Sequence, residues 1–194
     1  VGRSRAAFRA LVLLVFVALV GAGAFLYLSS ESAQGLGSGA HTVSAPAAVG
    51  GYAENTNPGM QALGQVLGAG VESSSTSRVP GLQQAVVAFY GSTDGTGSGT
   101  SPGYMLVTAS YNHALSYANL TTLGSGLSGF DFSTASVQSQ DGVDFHCGTF
   151  SSSLLSSVCM WVDGNVFGVV LGAPTLGQAN TLVAAEGART SVEQ

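Results

Sequence analysis

The chain contains no lysine, and only 8% of its 194 residues are charged, against about a quarter in an ordinary soluble domain. All five basic residues are arginine, and Arg3, Arg5 and Arg9 fall in the first nine positions. From Ser29 onward two arginines face ten acids, a net charge of −8. So acidic a surface lacks the cationic footprint that nucleic-acid binding needs, which excludes that class of partner. Cysteine is nearly absent as well. Cys147 and Cys159 stand 12 positions apart, which fits neither a C-x-x-C redox motif nor a four-ligand zinc site. No internal repeat of solenoid or propeller length is visible. The length allows one ordinary domain plus accessory segments.

What the chain does have is one long apolar run. Ala10 to Leu28 is 19 residues without a charge, enough helix to span about 28 Å, close to the hydrocarbon thickness of a bilayer. The arginines on its short N-terminal flank predict a nine-residue cytoplasmic stub, a transmembrane helix over 10–28 that enters the lipid bilayer, and everything after it outside. Tyr27 would then sit at the outer interface. A cleaved leader ending at Ala22-Gly23-Ala24 is the alternative, and it would leave Phe25-Leu26-Tyr27-Leu28 at a new N-terminus. Either way the remainder is exported. Val1 in place of Met suggests a truncated start.

Residues 29–57 are rich in Ser, Gly and Ala, with no apolar periodicity, and so read as a disordered linker with a reach of roughly 30 Å; His41 is solvated within it. The folded, extracytoplasmic part is expected over 58–194. Asn57-Pro58 caps a helix whose face is Met60, Leu63, Val66 and Leu67, ending at Gly68 or Gly70. A loop over 71–80 follows, then strands at Leu82–Tyr90 and Tyr104–Ser110 separated by a Gly/Ser/Thr loop. Asn112 is read as the cap of a helix running to Leu123 and closed by Gly124. Phe130–Val137 alternates weakly. Val143, Phe145 and Cys147 alternate strictly with Asp144 and His146, the pattern of a half-buried strand with the latter two on its exposed face.

The clearest hairpin is Val158–Leu171. A two-residue loop at Gly164-Asn165 pairs Val162 with Phe167, Met160 with Val169 and Cys159 with Val170, and sets Trp161 against Gly168, whose missing side chain gives the indole room. Thr175 then caps a closing helix with Leu176, Ala179, Leu182 and Val183 buried and Glu186, Arg189 and Glu193 solvated. The fold class is therefore α+β, a mainly antiparallel sheet with flanking helices. In an exported domain Cys147 and Cys159 should be bridged, a structural disulfide contributing about 3 kcal/mol in the chain-entropy picture.

No catalytic, cofactor or metal constellation emerges. Gly99-Thr100-Ser101-Pro102-Gly103 matches G-x-S-x-G, but Pro102 has no N–H to give an oxyanion hole. Gly124–Gly129 matches G-x-G-x-x-G, yet follows a helix where a dinucleotide site needs a strand. Asp144 and His146, with His113 if the fold brings it near, are the residues on which an exported hydrolase or metal-dependent enzyme would have to rest. Asn119-Leu120-Thr121 is a glycosylation sequon, relevant only in a eukaryotic secretory pathway.

Val87–Gly91 (VAFYG), Phe145–Gly148 (FHCG), Cys159–Asp163 (CMWVD) and Gly168-Val169-Val170, with Arg189 and Glu193 in the closing helix, form a spaced set. In it the chain resembles a group of uncharacterised actinobacterial membrane-anchored exported proteins. It departs from them in having no basic or proline-rich cytoplasmic domain before the helix. The resemblance implies a signal-anchor, a low-complexity linker and an exported domain in the cell membrane, and no activity. The expected function is non-catalytic binding or sensing of an envelope protein or glycan.

Overall fold

The computed structural model describes residues 42–91, 103–125, 127, 131–149 and 155–192. The apolar run at 10–28, its flanks, His41, most of the G-x-S-x-G stretch, Phe130 and Glu193 lie outside the described residues. Among the described residues no helix is long and apolar enough to cross a membrane.

The elements run β1 (Ala48–Val49), β2 (Tyr52–Ala53), α1 (Pro58–Thr76), β3 (Leu82–Tyr90), β4 (Tyr104–Tyr111), α2 (Tyr117–Gly124), a 3-10 turn (Phe132–Thr134), β5 (Ser136–Gln140), β6 (Val143–Thr149), β7 (Ser157–Asp163), β8 (Val166–Gly172) and α3 (Gly177–Val192). β3 to β8 form one six-stranded sheet in the order β3-β4-β8-β7-β6-β5, antiparallel throughout. The fold is α+β, as the element pattern predicts.

The β7–β8 hairpin has the register expected of a Gly164-Asn165 loop, from Asp163–Val166 to Ser157–Gly172, with Gly164 at φ +53. Trp161 lies over Gly168 and is fully buried against Phe145, ring centroids 5.7 Å apart. Cys147 and Cys159 are directly paired across β6 and β7 and form the disulfide. β5 and β6 are joined at Asp141-Gly142, both at positive φ (51 and +79), the two-residue hairpin turn that an Asp-Gly pair favours.

Both faces of the sheet are covered, but unequally. On one, Tyr104, Leu106, Phe145, Trp161 and Val170 pack against α3 through Ala184, Ala185 and Ala188. On the other, α1 lies over β3, and α2 sets Leu120 and Leu123 against Val158, Met160 and Val169. α1 comes close because Gly64 and Gly68, one turn apart, face the β3 backbone at Val87 and Ala85.

Several expectations are corrected. The linker does not extend to residue 57: Val43 and Val49 are core residues, Tyr90 Oη donates to the Pro46 carbonyl at 3.0 Å, and the Asn55 N–H donates to the Phe89 carbonyl at 2.7 Å. α1 passes Gly68 and Gly70 and runs on through Thr76, absorbing most of the predicted loop, while Val66 points outward. α2 starts at Tyr117, because Ser116 and Asn119 form a capping box; Asn112 instead donates its N–H to the Gly81 carbonyl. Gly124 ends that helix without a left-handed residue; a side chain there would run into the Phe132 ring. The weakly alternating stretch resolves into the 3-10 turn and β5.

The buried stripe of α3 is rotated from the prediction. Thr181, Ala184, Ala185, Ala188 and Val192 face the sheet, and Val183 is exposed. Thr181 Oγ1 meets Ser157 Oγ at 2.6 Å in the space left by Gly172. Arg189 is not a solvated charge: it donates to Asp163 Oδ2 at 2.7 Å and lies 3.7 Å from Asp141 Oδ2.

Candidate functional site

The uneven cover creates a cleft. The α2 helix is eight residues long and lies over β7; on that side, among the described residues, no α-helix packs closely on β5 or β6, and the 3-10 turn reaches β6 through Phe132. An open cavity of about 520 Å³ lies there, lined by Tyr117 and Leu120 from α2, Val137 from β5, Gly142, Val143, Asp144 and His146 at the turn and on β6, and Val162 from β7. Register explains the grouping: Val137 is the cross-strand partner of His146, and Ser139 that of Asp144. These four side chains share one face, as the strict alternation of β6 requires.

His146 is the departure from expectation. The alternation predicts exposure, yet only 5% of the residue is accessible. Tyr117, the first residue of α2, brings its ring to a centroid distance of 4.9 Å, tilted 35°, and the Phe132 ring lies 6.3 Å away. Burial pushes the imidazole below its ordinary value of 6.5, against the opposing pull of the Asp144 carboxylate. His146 is thus neutral at neutral pH, with one ring nitrogen a donor and the other an acceptor. No hydrogen bond to either nitrogen occurs among the described residues, and the ring lines the cleft. Tyr117 itself stays 56% exposed and Val137 50%. Asp144 is exposed and accepts a hydrogen bond from Ser139 Oγ.

Asp144 and His146 are brought to one cleft; His113 is not. Its ring packs edge-on to Tyr111, centroids 6.0 Å apart, with Nδ1 3.0 Å from Asn112 Oδ1. The ion pairs found among the described residues both belong to Arg189, so Asp144 and His146 do not form one. Among the described residues no group of three or more His, Cys, Asp or Glu side chains is placed to hold a metal ion. The sequon residue Asn119 is engaged in the Ser116 cap. Tyr117, Leu120, Val137 and Val162 are site residues that motif and pattern in the sequence do not single out. The usable signal was Ser116-x-x-Asn119, which fixes where α2 begins and hence that Tyr117 overhangs β6.

No known family profile matches the chain, and neither the curated proteins nor the solved structures contain a significant match to it.

Proposed function

We propose that the chain is a single-pass membrane protein, anchored through residues 10–28 with its N-terminus in the cytoplasm, whose α+β domain works outside the membrane as a non-catalytic binding module for an envelope component. The cleft carries this reading. An exposed aromatic ring, an apolar rim, one carboxylate and one neutral imidazole with no hydrogen-bond partner among the described residues are groups that hold a ligand. A hydrolase would need a base in contact with a nucleophile or with an orienting acid. Here Asp144 accepts from Ser139, but among the described residues His146 has no hydrogen bond to orient it and packs against the Tyr117 and Phe132 rings, so no nucleophile–His–acid relay is assembled. The disulfide supports export, since such bonds persist outside a reducing cytosol. The acidic, lysine-free composition and the spaced motifs support kinship with the actinobacterial membrane-anchored group.

The test is capture of partners from envelope membranes by the full chain, beside Tyr117→Ala and Asp144→Asn. A partner held by the unaltered chain and lost from both variants supports the reading. Turnover in a broad hydrolase screen that His146→Ala abolishes would overturn it in favour of an enzyme.

A further inference from the structure

The two edges of the six-stranded sheet are treated differently. The outer side of β3 is occupied: Glu54 bridges to Tyr90, the Asn55 N–H donates to the Phe89 carbonyl, and the Ala85 N–H donates to the Glu72 carboxylate at 3.1 Å. β5 is the opposite edge, and among the described residues nothing pairs with its outer side. Folded proteins usually guard such an edge with charge, proline, a bulge or a covering segment. Ser136-Val137-Gln138-Ser139-Gln140 has no charge and no proline, and its register with β6 is regular. Residues 137–140 are exposed. Side chains of α3 reach its two ends, Gln178 at Ser136 and Glu186 at Gln140, but among the described residues no strand covers this edge, which borders the cleft through Val137.

We infer that an extended peptide segment adds to β5 as a seventh strand and places an arginine or lysine side chain in the cleft. The inference rests on the reading of the cleft as a binding site and names its occupant. A strand added to β5 lies about 4.8 Å beyond it, so Asp144 on β6 is roughly 10 Å from the added backbone. A long basic side chain crosses that gap over the small Ser139, the partner of Asp144 in the β5–β6 ladder. Charge complementarity decides the sign. Asp144 has no ion-pair partner among the described residues, and Arg189, at this end of the sheet, is committed to Asp163 and Asp141. The half-exposed face of Tyr117 supplies the ring over which a guanidinium or ammonium is attracted. Main-chain hydrogen bonds to β5 would give affinity, and the cleft would select the side chain.

The experiment pans phage-displayed random dodecapeptides against the full chain in lipid nanodiscs, with empty nanodiscs as control. Enriched peptides should alternate β-branched residues with Arg or Lys. Synthetic copies should bind at least about tenfold more weakly to Asp144→Asn, and equally so when alternate backbone amides are N-methylated. Amide exchange should slow at β5 on saturation. Asp144 is exposed, so Asp144→Asn should keep its fold; the circular dichroism spectrum and an intact Cys147–Cys159 bond verify this. Failure to enrich any peptide, or peptides indifferent to Asp144→Asn and to N-methylation, would overturn strand addition. If envelope capture is still lost in Tyr117→Ala while no peptide is selected, the binding cleft stands and the strand does not. Loss of both results overturns both.

Discussion

Replacing Gly168 by alanine tests the packing at the centre of the sheet. A Cβ at this position would fall 2.1 Å from Trp161 Cζ2, 2.3 Å from Cε2 and 2.4 Å from Cη2. Carbon atoms in good contact are about 3.5–4.0 Å apart, so all three ring atoms are more than 1 Å too close. β8 cannot retreat, because Gly168 is paired with Thr108 on one side and Trp161 on the other. The indole must move instead, against a fully buried Phe145. Overpacking costs about 1–3 kcal/mol, and a clash with a pinned strand belongs at the top of that range, about 3 kcal/mol. Guanidinium unfolding of the fragment 42–194, followed by far-UV circular dichroism, measures it. Trp161→Leu vacates the contested space, so the double variant should cost about 2 kcal/mol less than the two single losses together. A Gly168→Ala stability within about 0.5 kcal/mol of the parent, or strict additivity in the cycle, would refute the reasoning.

The glycine pair of α1 should respond in opposite directions. Gly68→Ala meets the Ala85 carbonyl at an ordinary 3.5 Å and should gain up to about 1 kcal/mol of helix propensity; Gly64→Ala meets the Val87 carbonyl at 2.5 Å and should destabilise, and equal effects would contradict the close approach of α1. For His146 the folded value lies below 6.5, so the unfolded chain binds more protons as pH falls. Its stabilising contribution is complete above 6.5 and is lost as the pH falls through the folded value. The unfolding midpoint should therefore drop more steeply between about pH 8 and pH 5 in the parent than in His146→Phe, and parallel curves would refute this. Replacing both cysteines by alanine should cost about 3 kcal/mol, whereas reductant should leave the native bond intact because both residues are buried; a loss under about 1 kcal/mol would refute the stabilising role.

How much of this was legible depended on whether side chains or docking decided each element. The β7–β8 register followed from the sequence because a Gly-Asn loop and the Trp161–Gly168 pairing leave one acceptable alignment. The order of elements followed from hydrophobic periodicity, and the disulfide from a chain whose composition leads one to expect export and which has two cysteines. Residues 42–57 were misread because their composition is that of a tether; a few docked groups order them, chiefly Val43, Val49 and the Pro46 carbonyl. The buried face of α3 differs from the one that apolar size alone predicts. This helix lies close enough to the sheet that alanines fill the interface, with Leu182 at its margin and Val183 outside. The site itself was half legible: alternation put Asp144 and His146 on one strand face, but the burial of His146 depends on Tyr117, placed by the Ser116–Asn119 capping box rather than by hydrophobic periodicity.

The disulfide also has a mechanical meaning. The chain enters the sheet beside β3, where the Val43 N–H donates to Gln84 Oε1, and the cleft belongs to β5 and β6 at the far edge, roughly 24 Å across at ordinary strand spacing. A pull between the entering chain and an occupant of the cleft runs across the strands, through each ladder in turn. Among the described residues the ladder between β6 and β7 is the shortest on that path, from His146–Met160 to Thr149–Ser157, while its neighbour between β7 and β8 runs from Ser157–Gly172 to Asp163–Val166. Among the described residues, the ladder with the fewest paired residues is the one crossed by the Cys147–Cys159 rivet. Under load, the strands that carry the cleft stay fastened to the rest of the sheet by a covalent bond.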